Sequence, residues 1–293
     1  MNLTTIYLLA LSSNLLFSTS SLVFSHYSTR FSPLWMNQTK VLIAIIAFGV
    51  TTLFLNESFL LPLSTYGYLI TSGILGLCLG DYFLFKAYTT LGPSRSLILF
   101  SFQPLILGFF GWITLGQTIS TNQALAIICM IICVLVYVYE KFQDSGHWDL
   151  KSFLWALFGI TLDAIGIMLT RTAYDHSPTL NSPMVNFIRC IGALIGFLLL
   201  KPTFIFDWKD KFQSLTPKSK GLIFLTVFSG TYLSLTLYLT ALKYAHLASL
   251  TSIAITGPLW VSFLECLWHK RWPNKFQFLG MGIFLIGFYL MSR

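Results

Sequence analysis

The chain alternates between long stretches without charged side chains and short polar segments. A stretch of roughly 20 apolar residues can cross the hydrocarbon core of a bilayer as one helix. The stretch from Ser96 to Tyr139 has no charged residue and is too long for one crossing, and Gly116–Thr118 divides it in two. The pattern predicts about ten membrane helices, which cover residues 3–25, 38–55, 63–88, 94–115, 120–139, 152–173, 183–200, 221–243, 247–268 and 275–292.

The composition supports this interpretation. Of the 293 residues, 55% are hydrophobic and only 10% are charged, whereas a soluble domain has about 25% charged residues. The predicted fold class is therefore an all-α integral membrane protein with about ten transmembrane helices and no appended soluble domain. The N-terminal stretch lacks a basic start and a small-residue cleavage site, so we expect it to be the first membrane helix and not a signal peptide.

The net charge of +8 does not change this class. The basic residues lie in loops and at helix ends, where such residues contact lipid headgroups and set topology, so no nucleic-acid partner is expected. All five cysteines lie in apolar stretches, and the closest pair, Cys129 and Cys133, has no histidine or second cysteine pair nearby. We expect no disulfide, no metal site and no cofactor.

An internal repeat relates the two halves of the chain. An offset of 154 places Gly76 on Gly230, Ala87 on Ala241, Pro104 on Pro258 and Gln123 on Gln277, while an offset of 149 places Lys40 on Arg189, Asn37 on Asn186 and Asn14 on Asp163. The predicted units are a first repeat at 1–139, a linker at 140–151 and a second repeat at 152–293. Because each unit has an odd number of crossings, the second unit must run through the bilayer in the opposite sense. Inverted repeats are typical of secondary transporters, with the substrate site at the repeat interface; the alternative is a duplication that only enlarged the helical bundle.

Two prolines lie at matching positions in the middle of predicted helices. Pro104 and Pro258 each remove one backbone donor and are expected to kink the helix. A kink leaves a carbonyl that must be satisfied or must face a cavity. We therefore predict paired hinge or cavity-lining helices, the alternative being a kink tolerated for packing.

Asp163 is the most informative single residue. It lies halfway along the sixth predicted helix, where a carboxylate costs roughly 2.5–3.5 kcal/mol on insertion scales. Its repeat partner, Asn14, lies halfway along the first helix, so each half places a polar side chain near the midplane. We expect Asp163 either to bind an ammonium group or to take up a coupled proton; the alternative is a structural hydrogen bond to a neighbouring Ser or Thr.

Other candidates carry weaker signals. Asp81 lies deep in the third predicted helix and joins the proposed route, and Tyr232, Tyr238 and Trp260 are candidates for an aromatic cavity wall, the alternative being packing or an interface belt. Lys40 and Arg189 lie at matching helix ends, where we favour anchoring at the membrane interface over binding of an anion. The chain has no glycine-rich phosphate loop, His-Glu-x-x-His or activated nucleophile, so we do not expect an enzyme.

Several segments together resemble the drug/metabolite transporters of the EamA type. They are Gly80-Asp81-Tyr82-Phe83-Leu84-Phe85-Lys86-Ala87, Leu91-Gly92-Pro93-Ser94-Arg95-Ser96, Pro104 and Gly116-Gln117, followed in the second copy by Ala241-Leu242, Pro258 and Gln277-Phe278-Leu279-Gly280. The resemblance covers essentially the whole chain. It implies two inverted five-helix repeats, alternating access without ATP, and a central cavity lined by the first, third, fourth, sixth, eighth and ninth helices. Members of this family carry amino acids, nucleotide-linked compounds, vitamins and drugs, often outward.

The resemblance is imperfect in one respect. The family has Gly-Glu after the fourth and ninth helices, where this chain has Gly116-Gln117 and Lys270-Arg271, so any role of those glutamates does not transfer. We expect a permease of the bacterial inner membrane that exports small polar metabolites and exists as a monomer or homodimer. The alternative is a non-transporting receptor or scaffold. The family places both termini in the cytoplasm, whereas the distribution of Lys and Arg places them outside, and the orientation stays open.

Overall fold

A computed structural model describes residues 3–55, 59–100, 103, 106, 121–145, 150–244, 256–268, 270 and 272–291. Within these ranges the chain is helical and contains no strand. The elements of the first half are α1 (Leu3–Arg30), α2 (Pro33–Phe54), α3 (Leu63–Ser72), the π-helical segment π1 (Gly73–Gly80), α4 (Asp81–Leu91), α5 (Pro93–Phe100) and α6 (Thr121–Ser145). Those of the second half are α7 (Leu150–His176), α8 (Ser182–Leu200), α9 (Phe204–Gln213), α10 (Pro217–Val227), the π-helical segment π2 (Phe228–Leu233), α11 (Ser234–Tyr244), α12 (Thr256–Trp268) and α13 (Lys275–Met291).

Six helices in the described ranges are long and apolar enough to cross a membrane. They are Thr4–Arg30, Pro33–Phe54, Leu63–Leu91, Leu150–His176, Ser182–Leu200 and Pro217–Tyr244. The fourth and ninth predicted helices are described only in part, as α5 and α12, so the predicted count of ten extends beyond the described residues. The chain is a multi-pass integral membrane protein, and its outward faces carry exposed apolar side chains such as Leu60 and Leu63, which are 93% and 86% exposed. In water this surface would be unstable, whereas lipid accommodates it.

Two boundaries differ from the sequence prediction. The basic segment after the seventh predicted helix contains a further short helix, α9, in which Trp208 and Phe212 lie one turn apart. The predicted linker at 140–151 is partly helical, because α6 continues to Ser145 and α7 begins at Leu150. Its first residue, Glu140, is buried, and its carboxylate accepts hydrogen bonds from Arg95 Nε at 3.1 Å and Nη2 at 2.8 Å.

Matching residues start the second helix of each half. Ser32 caps α2 by accepting a hydrogen bond from Trp35 N, and Asn181 caps α8 by accepting one from Met184 N. In both helices a proline follows within the first two positions, where its missing N–H costs nothing. These caps lie 149 residues apart, which is the offset of the sequence repeat.

The third membrane helix of each half contains a π-helical segment. Shifting π1 by 154 places it on residues 227–234, and π2 occupies Phe228–Leu233. A π-helical turn is wider than an α-helical turn, breaks the regular hydrogen-bond ladder and is frequent at functional sites. The same local irregularity therefore occurs at equivalent positions of both halves.

Packing between the helices also follows the repeat. The helix formed by α3, π1 and α4 packs on α7, while π2 and α11 pack on α1. Helices α2 and α8 pack on each other, as do α6 and α13. The third helix of each half thus contacts the first helix of the other half, and this arrangement places π1 among helices of both halves.

Candidate functional site

Segment π1 is enclosed by α2, α7 and α8 because glycines let the backbones approach closely. A Cβ on Gly73 would fall within the backbone of Arg189 on α8, and a Cβ on Gly80 would lie 3.1 Å from the carbonyl oxygen of Gly159 on α7. The irregular turns of π1 leave carbonyl oxygens that need donors. Asn37 on α2 supplies them, because its Nδ2 donates to the carbonyl oxygens of Leu77 and Cys78, both at 2.9 Å.

A buried ion pair lies at the C-terminal end of π1. Lys40 Nζ on α2 donates to Asp81 Oδ2 at the start of α4, and the two side chains are 3% and 12% exposed. The Lys40 ammonium group also lies 5.2 Å from the centroid of the Phe85 ring. Isolated charges are costly in such surroundings, so each member of the pair depends on the other.

Arg189 lies on the opposite side of π1. It is 2% exposed, its Nε donates to Ser72 Oγ at 3.0 Å, and its Nη1 donates to Asn186 Oδ1 at 3.3 Å. Ser72 is itself fixed, because its hydroxyl contacts the carbonyl oxygen of Gly166 at 2.6 Å and Thr170 Oγ1 at 2.8 Å. The guanidinium is therefore held in one position between α3, α7 and α8.

Asp163 on α7 points at the same segment. Its Oδ2 accepts a hydrogen bond from Gln103 Nε2 at 2.6 Å. A Cβ on Gly76 would lie 3.2 Å from Asp163 Oδ1 and 3.4 Å from Arg189 Nη2, so the carboxylate and the guanidinium flank this glycine. A larger residue at this position would push both charged groups aside.

These four charged residues form what we call the charged cluster: Lys40, Asp81, Asp163 and Arg189. They come from α2, α4, α7 and α8, so both halves contribute. Asp163 is within electrostatic reach of the other three. Two cations and two carboxylates balance in charge, which limits the cost of burying them.

The structure brings some of the other predicted residues to the cluster and places others elsewhere. Tyr238 lies near Asp163 and Arg189 and packs against a buried apolar cluster that includes Ile188. Tyr232 belongs to π2 and packs instead against α2. Its Oη lies 2.7 Å from Thr51 Oγ1, and its ring packs on those of Phe48 and Phe228.

Three of the remaining predicted residues, Asn14, Pro258 and Trp260, lie along α1 and α12. Trp260 donates from Nε1 to Thr19 Oγ1 at 3.0 Å and is 37% exposed. Asn14 lies on α1 beside α12, its Cβ 4.0 Å from the position of a Cβ on Gly257. Pro258 lies near the start of α12, and Pro104 falls outside the described residues.

Sequence reasoning missed three members of this region. Lys40 and Arg189 were expected at the membrane interface, but both are 2% exposed and lie inside the helical bundle. The available signal was their coincidence at the repeat offset together with Asn37 and Asn186. Gln103 could not be identified from the sequence, because its importance depends on the hydrogen bond to Asp163, which forms only when the helices pack together.

Comparisons with known proteins address the family and the fold. A family model described as "EamA-like transporter family" matches residues 4–139 and 150–293. No protein among those with curated functions matches the chain. Of the solved structures, 27 chains match. One, described only as "Crystal structure of protein", has a TM-score of 0.68 at 13% identity and covers 98% of this chain and 96% of its own. At this identity the likeness concerns the fold alone.

Proposed function

The chain belongs to the EamA-like transporter family, and from this premise we propose that it is a secondary active transporter that moves small polar metabolites, such as amino acids, by alternating access. In the proposed arrangement the repeats 1–139 and 152–293 are inverted relative to each other. The observation that carries the proposal is the charged cluster around π1. Charged residues inside membrane proteins are rare and mark substrate or ion pathways.

The composition of the cluster suggests what it binds. A zwitterionic solute carries an ammonium and a carboxylate, and the cluster offers a carboxylate at Asp163 beside a guanidinium at Arg189. When such a solute binds, its ammonium would pair with Asp163 and its carboxylate with Arg189. No unpaired charge would then remain in the bilayer. In this proposal Asp163 contacts the solute or a coupled proton, and Asp81 with Lys40 sets the local charge balance.

The other candidates complete the proposed route. Asn14, Tyr232, Tyr238 and Trp260 would line it, and Pro104 with Pro258 would act as hinges. We further propose export across the bacterial inner membrane by a monomer or a homodimer. The switch between outward and inward states would be a rocking of the two repeats about the site, as in other transporters with inverted repeats.

Reconstitution into liposomes tests the proposal. Purified protein is assayed with a panel of radiolabelled amino acids and other small polar metabolites, with and without an imposed pH gradient. We expect uptake above that of empty liposomes for at least one class of solute. Asp163→Asn should reduce this rate at least about tenfold, the factor that corresponds to one lost charged contact.

A matched substitution separates the site from general damage. Asp175 lies on the same helix, is 62% exposed at its side chain and pairs with Arg171 one turn away. Asp175→Asn should leave transport within about twofold, since exposed pairs contribute little. Failure of every solute to exceed the empty-liposome background would favour a non-transporting receptor or scaffold. Equal rates for wild type and Asp163→Asn would remove this residue from the mechanism.

A further inference from the structure

A second polar pocket lies at the end of the bundle where the basic loop after α8 meets the start of α2. It is separate from the charged cluster. Helix α9 closes it by packing on α2. The residues that line it are Ser32, Leu34, Trp35, Gln38, Lys201, Trp208 and Lys211. This lining offers hydrogen-bond donors and two positive charges but no carboxylate.

The first turn of α2 supplies backbone donors. Pro33 has no N–H, and the N–H of Trp35 is taken by the Ser32 side chain. The N–H of Leu34 is then the first-turn amide that lacks an acceptor within its helix. The positive end of the helix dipole also points toward this side, and such helix starts bind phosphate and other anions.

Gln38 provides an independent sign that a ligand is expected. The residue is 4% exposed, and its Nε2 has no hydrogen-bond acceptor among the described residues. Leaving a buried donor unsatisfied costs free energy, so native proteins rarely do so without a reason. Gln38 lies six residues after the cap of α2 and lines the pocket, where a bound acceptor would satisfy it.

The wall formed by α9 is fixed by hydrogen bonds and ring packing. Trp208 donates from Nε1 to Thr39 Oγ1 at 2.9 Å, and its carbonyl oxygen accepts from Trp35 Nε1 at 3.4 Å. The Trp208 ring stacks on Phe212 at 4.9 Å between centroids. A short helix that combines aromatic residues with lysines is typical of helices that lie in the headgroup region. Lys211 on this helix brings its charge to the pocket.

We propose that this pocket binds a phosphate group, which the adjoining membrane supplies as the headgroup of an anionic phospholipid. A phosphodiester presents several acceptor oxygens around one centre, which suits donors that converge from a helix start, an amide and lysines. Carboxylates of soluble metabolites present two oxygens in one plane and would leave Gln38 or Leu34 unsatisfied. The bound lipid would fasten α9 to α2 and thereby tie the two halves together at this end.

The experiment measures lipid binding by native mass spectrometry of the full-length protein in a neutral detergent. Short-chain phosphatidylglycerol, short-chain phosphatidylcholine and inorganic phosphate are titrated separately. We expect wild type to retain phosphatidylglycerol in preference to phosphatidylcholine. Lys211→Gln and Gln38→Leu should each weaken this binding about tenfold, as expected for loss of one hydrogen bond to a charged group.

Lys209→Gln is the matched control, because Lys209 lies on the same helix, is exposed and does not line the pocket. It should change the affinity less than about twofold, as rim charges do. Thermal unfolding of each variant without added lipid checks that the fold is kept. Equal losses in Lys209→Gln and Lys211→Gln would overturn the proposal in favour of diffuse surface attraction. Binding of inorganic phosphate without phosphatidylglycerol would support the phosphate site but assign it to a soluble ligand, and binding of neither would overturn it.

Discussion

The π-helical segments of the two halves occupy equivalent positions but face different chemistry. Segment π1 lies against Asp163 and Arg189 and is followed by Asp81. On the other side, a Cβ on Gly230 of π2 would meet the hydroxyl of Ser20, and no charged side chain is among the nearest atoms. The two halves thus share the same irregularity of the backbone, and the charged side chains lie against π1.

The difference continues in the hydrogen bonds around the two segments. Beside π2, hydroxyls pair across helices: Ser13 Oγ lies 3.0 Å from Ser234 Oγ, and Tyr232 Oη lies 2.7 Å from Thr51 Oγ1. Hydroxyl pairs are neutral and tolerate small shifts of the helices, whereas a buried ion pair requires a fixed geometry. The π1 side is therefore held by charged contacts and the π2 side by neutral ones.

The two segments also differ in how closely a neighbouring helix approaches them. Gly73 of π1 and Gly192 of α8 let two backbones touch, and their repeat partners are Val227 and Ile43. A side chain at either glycine would overlap backbone atoms, which cannot rotate away. The interface between π1 and α8 is therefore closer than its counterpart between π2 and α2.

The largest expected effect comes from breaking that close approach. Gly192→Val places two methyl groups against the backbone of Ile70, and we expect a loss of at least about 3 kcal/mol, the upper part of the range for overpacked cores. Thermal unfolding and the yield of monodisperse protein in detergent measure it. Gly67→Val is the control, since a Cβ there meets no atom within 4 Å. Equal stability of the two variants would contradict the proposed difference in spacing.

The next effect tests the charge that distinguishes the π1 side. Lys40→Met removes the partner of a buried carboxylate, and we expect a loss of about 3 kcal/mol, the lower end of the range for a broken buried pair, because the Asp81 side chain is 12% exposed. Adding Asp81→Asn removes the uncompensated charge and should recover part of the loss. Chemical unfolding of the two single variants and the double variant gives the coupling. If the double variant is as unstable as the sum of the single variants, the pair does not act as an ion pair.

The helical architecture could be predicted from the sequence because lipid imposes a simple condition. Most of a span must be apolar, so long apolar stretches with charges only near their ends mark helices directly, as at Thr4–Arg30 and Pro217–Tyr244. The offset of 149 also relates the caps at Ser32 and Asn181, which only the structure identified as caps. The π-helical geometry gave no such pattern, because a widened turn arises from contacts with neighbouring helices and not from the local sequence.

The candidate site was only partly predictable for a related reason. Asp163 stood out because a carboxylate in an apolar helix is unusual wherever it points. Lys40 and Arg189 did not, because long basic side chains near a helix end normally reach the interface. Their burial depends on Asp81 and Ser72, which lie 41 and 117 residues away in the chain. Only the packing of α2 and α8 on the third helix makes these contacts possible.

The smallest expected effect comes from removing one hydroxyl group and, in a second variant, the hydroxyl group of its repeat partner. Ser72 Oγ accepts from Arg189 Nε at 3.0 Å, whereas Thr226, its partner at the offset of 154, donates from Oγ1 to Leu222 O of its own helix at 2.7 Å. Ser72→Ala leaves a buried guanidinium donor unsatisfied and should cost about 1.5–3 kcal/mol, while Thr226→Val loses a neutral bond worth about 0.5–1.5 kcal/mol. Thermal unfolding of both variants in the same detergent resolves the difference. Because the two residues hold equivalent places in one scaffold, a larger cost at Thr226 would mean that charge does not set the energetic difference between the halves.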